Sequence, residues 1–291
     1  VKLEVCIDSL ESALNAIHGG AEELEVCSSL TEGGLTPSIG LVKNILCTGA
    51  PIHYTCSECN CTKLTEKPSV NIMIRCRGGS DFCFTPTEVE TMLTDLVIMK
   101  SMGVNRFVFG ALTDTQDIDK ETCTQVITKA NPLPVTFHRA FDICNNTLVS
   151  LETIIELGFD RVLTSGHRPS VDDPDAYKLI SDLMGFYKDK IQIMPGAGIN
   201  MDNVKKYIWL GCPMIHCSCK AARVFKIEKS LNMGTHTGTP EIIYYTDKDS
   251  VTRLRCVIKY EIARIQALKD DLYKRILFLV LKSILNNREY A

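Results

Sequence analysis

Short apolar segments recur along the chain, and amphipathic stretches separate them. Segments 3–8, 23–28, 71–75, 106–110, 134–138, 161–165, 191–195 and 214–218 have the length and apolar content of strands. Helical spacing of apolar positions marks 9–18, 86–102, 148–157, 174–187 and 202–210. Glycines such as Gly20, Gly103, Gly158 and Gly211 follow these stretches, where a helix ends best on a residue free to turn left-handed. Strands alternating with helices predict a parallel sheet. Eight units with no strand left over predict closure into a TIM-like (β/α)8 barrel rather than an open sheet.

Two stretches break the rhythm. Residues 49–69 separate a helix from its strand by far more than the usual two to six residues. This atypical loop insertion carries Cys56, Cys59 and Cys61. After Thr246 a charged and apolar helical pattern runs to about Asn287, longer than closing the last unit requires. The expected organisation is one domain over 1–291, with a core over about 1–265 and an extended C-terminal helical segment over about 266–291. That segment could pack on the barrel, support a homo-oligomer or stay frayed.

Composition narrows the partners. The 291 residues are 45% hydrophobic with a net charge of −3, and no basic stripe marks a nucleic-acid or anionic-membrane surface. The best apolar run, 276–281, is far short of the roughly 20 residues of a membrane span. The chain opens on Val1 rather than Met and leads straight into a strand, so no secretory signal is expected there and the natural start is expected upstream. Fourteen cysteines, several inside apolar strands, read as reduced thiols in a reducing compartment.

Candidate chemistry collects at the carboxyl ends of the strands, where barrels place their sites. The first two strands repeat Glu-Val-Cys, at Glu4-Val5-Cys6 and Glu25-Val26-Cys27. Alternation puts Glu4, Cys6 and Asp8 on one face, Glu25 and Cys27 likewise, and Leu3, Val5, Ile7, Leu24 and Val26 on an apolar face suited to the helix layer. The polar face then points into the barrel. Two converging thiolates suit Cu(I) better than a hard cation, while two buried cysteines acting as small hydrophobes fit the same spacing. Other strand ends supply Arg75, Arg77, His138, Arg139, Asp142 and His216. The turn holding Gly196 and Gly198 could offer backbone N–H groups to a phosphate, or could simply be tight. Cys56, Cys59 and Cys61 could form an accessory soft-metal site, but their loop joins a helix to a strand and belongs to the opposite barrel end.

Several of these motifs, in this order, resemble the CutC copper-homeostasis family. They include Glu4-Val5-Cys6-Ile7-Asp8-Ser9, Glu25-Val26-Cys27-Ser28, Glu32-Gly33-Gly34-Leu35-Thr36-Pro37-Ser38 and Val108-Phe109-Gly110-Ala111-Leu112-Thr113. Pro134-Val135-Thr136-Phe137-His138-Arg139-Ala140-Phe141-Asp142, Arg161-Val162-Leu163-Thr164-Ser165-Gly166 and His216-Cys217-Ser218 continue the series. The likeness is greater to animal than to bacterial members. It implies a barrel, binding of monovalent copper with Cys6 and Cys27 as metal ligands, and a cytoplasmic, also nuclear, location. The chain departs from the family at Arg75-Cys76-Arg77-Gly78-Gly79-Ser80-Asp81-Phe82, where Cys76 replaces a proline and Ser80 is added.

Copper homeostasis through Cu(I) is therefore the leading expectation. The alternative is an enzyme acting on a small anionic or phosphorylated metabolite. There Arg75, Arg77 and Arg139 would anchor charge with Gly196 and Gly198, and His138 or His216 with Asp142 would exchange protons. An interaction scaffold using the terminal helix or the insertion is the third.

Overall fold

The computed structural model describes residues 1–48, 54–55, 62–63, 67–225 and 242–288. Eight parallel strands form the barrel wall: β1 (Lys2–Ile7), β2 (Glu23–Val26), β3 (Ser69–Met73), β4 (Arg106–Phe109), β5 (Val135–Phe137), β6 (Arg161–Thr164), β7 (Gln192–Pro195) and β8 (Met214–Cys217). Their hydrogen-bonded order is β8-β1-β2-β3-β4-β5-β6-β7, and β7 and β8 come together to leave a nearly closed barrel. Helices α1 (Leu10–Gly19), α2 (Ile39–Cys47), α3 (Pro86–Ser101), α4 (Lys120–Ala130), α5 (Thr147–Glu156), α6 (Pro174–Tyr187), α7 (Val204–Leu210) and α8 (Lys248–Arg288) follow the strands in turn. The expected (β/α)8 barrel is the fold. Cys56, Cys59 and Cys61 lie outside the described residues.

The main core is the shell between strands and helices, where Leu3, Val5, Ile7, Leu24 and Val26 are buried among residues of the helix layer. The opposite strand faces fill the barrel with two small apolar clusters, Cys27-Met73-Val108 and Leu163-Met194-Met214. Between these clusters the interior is polar and charged.

The pattern did not reveal an antiparallel hairpin after β8, in which Lys220–Val224 pairs with Ile242–Thr246. It leads into α8, whose Val251, Leu254 and Ile258 are buried and whose Glu261 accepts a 2.9 Å bond from the Trp209 indole. From Leu268 onward the same helix exposes apolar residues, including Leu272 and Ile276. No described helix is long and apolar enough to cross a membrane.

Helix α8 docks through a close approach to α1. A Cβ on Gly19 would lie 2.5 Å from Val251 Cβ and 2.9 Å from the Lys248 carbonyl oxygen. Gly19→Ala should therefore force the helices apart and destabilise the fold by about 1–3 kcal/mol, the usual range for overpacking. Urea unfolding checks this; an unchanged midpoint would show that α8 yields freely.

Candidate metal centre

Register decides what meets inside the barrel. Glu4 of β1 stands level with His216 of β8, and Cys6 stands level with Glu25 of β2. All four turn inward. Cys27 follows β2, and its N–H donates to the Ile7 carbonyl at 2.8 Å, one step beyond the Cys6–Glu25 level. The two predicted thiols are thus staggered by two residues of strand, roughly 6.6 Å of rise, with the Glu25 carboxylate between them. Glu25 Oε2 lies 3.7 Å from Cys27 Sγ and 3.7 Å from His216 Nε2.

Cys6, Glu25 and His216 each bring one ligand atom, and these atoms lie within 4.8 Å of one another. The Cys6 thiol donates to the Cys217 carbonyl at 3.6 Å. His216 Nδ1 is bonded to Glu4 Oε1 at 2.8 Å, which fixes the ring and leaves Nε2 facing Glu25. A histidine held through one nitrogen by a carboxylate is how many proteins orient a metal ligand. Gly196, just after β7, permits this placement, because a Cβ there would crowd the His216 ring at 3.2 Å and Leu163 at 2.6 Å. Glu25 Oε1 is buried without any hydrogen-bond partner, an arrangement costly enough to suggest a function.

Below this level lies an ion network. Arg161 Nη1 donates to Glu23 Oε2 at 2.9 Å and to Glu4 Oε2 at 3.4 Å, and Asn71 Nδ2 donates to the same two oxygens at 2.8 and 2.6 Å. These side chains are essentially sealed from water.

The cluster's protons follow from these contacts. Burial would raise the Glu4 pKa, but the bond to His216 and the charges of His216 and Arg161 prevail and hold it down at about 2. Burial pushes Glu25 up to about 7, against the pull of His216 and with the help of Glu4. Burial alone would discharge His216; instead the charge of Glu25, the Cys6 sulfur and the bond to Glu4 keep its pKa well above the ordinary value. Burial also raises the Cys6 thiol, which His216 only partly offsets, and lifts Cys27 further, with Glu25 adding to the effect.

Signs convert these shifts into a stability profile. A carboxyl raised from 4.5 to about 7 makes the fold lose stability as pH rises across that interval. A raised histidine gives stability that is complete below about 6.5 and lost as pH climbs through its folded value. Both act in the same direction. His138, pulled down to about 3, acts the other way up to about pH 6.5, so the Glu25 contribution is read as a difference. The urea midpoint of the metal-free, reduced protein relative to that of Glu25→Gln should fall from about pH 5 to pH 7. Identical pH profiles for the two proteins would contradict the Glu25 assignment.

The other candidate residues are engaged elsewhere. Arg75 reaches the carbonyls of Glu32, Gly34 and Gly79 and lies over the Phe82 ring. Arg77 is committed to Asp81, Glu88 and two carbonyls. Asp142 accepts from Thr164, Ser165, His167 and Arg139, so it braces the end of β6. His138 accepts from the Ala140 N–H through Nδ1, and its Nε2 is buried without a partner. Burial and the nearby Arg75 charge pull its pKa down to about 3, which keeps the ring neutral. The Gly196 N–H is bonded to the Thr164 carbonyl, and Gly198 turns left-handed against Ser170. His216 therefore joins the cysteines rather than Asp142.

The model of the CutC family matches residues 1–221. The chain belongs to the CutC family. It is 38% identical to the copper homeostasis protein cutC homologs of Mus musculus and Homo sapiens, over 88% of this chain and 89% of each relative. The Caenorhabditis elegans homolog is 37% identical over 89% of this chain and 95% of its own. Among solved structures, a CutC protein of Streptococcus agalactiae superimposes with a TM-score of 0.64 at 27% identity, over 75% of this chain and 98% of that one. The CutC match ends close to the hairpin after β8, so the whole inward cluster lies inside the matched region.

Proposed function

We propose that this CutC-family chain binds Cu(I) inside the mouth of the barrel, with Cys6 and His216 as the anchoring ligands and Cys27 as the second thiolate. The observation that carries this reading is the convergence of Cys6, Glu25 and His216 within 4.8 Å. Sulfur and imidazole suit Cu(I), whereas a carboxylate is a poor partner for so soft an ion. Glu25 is therefore assigned the proton of a departing thiol; its own pKa of about 7 suits the exchange. Its unpartnered oxygen is left free to take that proton. The reading includes copper as cargo in a reducing cytoplasmic and nuclear setting.

Ligation requires Cys6 and His216 to give up protons that both hold more firmly than usual. Affinity should therefore keep rising between about pH 6 and 8, instead of levelling near the ordinary histidine value. Competition of the reduced protein against a colourimetric Cu(I) chelator across that range measures it. A flat profile would remove His216 and Cys6 from the ligand set.

A further inference from the structure

The end of β8 carries a second pair of sulfur atoms that the inward cluster does not use. Cys217 closes β8, Cys219 lies two residues on, and their Sγ atoms are 3.2 Å apart. Strand alternation turns His216 into the barrel and Cys217 away from it, among the apolar residues between barrel and helices. Residues two apart on an extended strand would stand about 6.6 Å from each other. Cys219 instead adopts φ 45°, a left-handed conformation that side chains other than glycine seldom accept, and this turn brings the sulfurs together.

Two thiols this close can share a metal or close a disulfide. A monovalent ion held by two thiolates would leave a net negative charge among apolar side chains, which is costly, and no third His, Cys or carboxylate among the described residues joins the pair to complete a divalent site. A disulfide there is neutral. Its S–S length of about 2.05 Å asks the sulfurs to approach by only about one ångström more. We infer that Cys217 and Cys219 form a redox-active dithiol whose substrate is a small-molecule disulfide of the glutathione type. Cys219 is half-buried and reachable; Cys217 is 4% exposed and reacts only from within. The Cys219 thiolate attacks one sulfur of the small disulfide and expels its partner, which takes up a proton. Cys217 then loses its proton and attacks Cys219 Sγ, expelling the second small thiol. One S–S bond breaks and one forms, two protein thiols are oxidised, and the small disulfide is reduced to two thiols. A bridge closing so short a ring is strained and belongs with labile, regulatory disulfides rather than structural ones. The inference does not depend on copper binding.

The test equilibrates the metal-free full chain with oxidised and reduced glutathione at varied ratios. Free thiols are then alkylated under denaturing conditions and the peptides weighed. As the oxidised fraction grows, the peptide holding both cysteines should lose two hydrogens and take no label at Cys217 or Cys219, the only label falling on Cys212 where the peptide includes it, and excess reduced glutathione should reverse this. Cys219→Ser should leave Cys217 as a free thiol, and Cys217→Ser should trap a mixed glutathione disulfide on Cys219. Labelling of both sulfurs at every ratio would overturn the inference. So would a persistent mixed disulfide in the unaltered chain, or a bridge from either residue to another cysteine.

Discussion

Replacing Cys6 and Cys27 together by alanine should lower Cu(I) affinity by more than about 100-fold, because outer partners of metal ligands alone are worth about 10–100-fold. Loss of both thiolates leaves His216 and a carboxylate, a set with little softness. Both cysteines are small, and Cys27 belongs to a small apolar cluster with Met73, Val108 and Leu30, so the barrel should survive. A thermal melt of the metal-free double variant confirms that. The single variants divide the contribution. Cys6→Ala removes the sulfur within reach of His216 and should carry the larger share, whereas Cys27→Ala removes the staggered one. Unchanged chelator competition by the folded double variant would eliminate the site.

The second large effect concerns the ion network beneath the cluster. Arg161 is the cation that Glu4 and Glu23 share, and all three side chains are at most 6% exposed. Arg161→Met should cost about 3–5 kcal/mol, the range for breaking a buried pair and leaving charge uncompensated. For a chain of this size that corresponds to a melting point lower by roughly 10 °C. Adding Glu23→Gln should recover part of the loss, since the orphaned charge and not the lost packing dominates. No recovery would mean that Arg161 serves mainly to fill space. The network also links stability to the site, because Glu4 accepts from Arg161 and orients His216.

Much of this was legible in the residues. Alternation in Leu3-Glu4-Val5-Cys6-Ile7 separated an apolar outer face from a polar inner one, and the barrel keeps that division. His216 is a polar residue at a strand end, and alternation puts it and Cys217 on opposite faces without saying which of them faces inward. The pairing of Glu4 with His216 answers that. Register was the hidden quantity. The stagger between neighbouring strands is set by closure of the whole barrel, and no local segment encodes it. Hence the sequence pairs Cys6 with Cys27 by position in their motifs, while the sheet pairs Cys6 with Glu25. The Arg161 network was hidden for the same reason, although a charged residue opening an otherwise apolar strand was a signal. The hairpin after β8 gave a weak pattern because Lys220–Val224 is largely exposed and has no apolar face to bury.

The central claim is that one Cu(I) ion sits between Cys6 and His216. Crystals of the reduced chain loaded with one equivalent of Cu(I), measured on both sides of the copper absorption edge, test it most directly. The account predicts a single anomalous peak bonded to Cys6 Sγ and His216 Nε2, with Cys27 Sγ drawn toward it and Glu25 alongside. A peak at any other cysteine, with Cys6 and His216 unmoved, would contradict it.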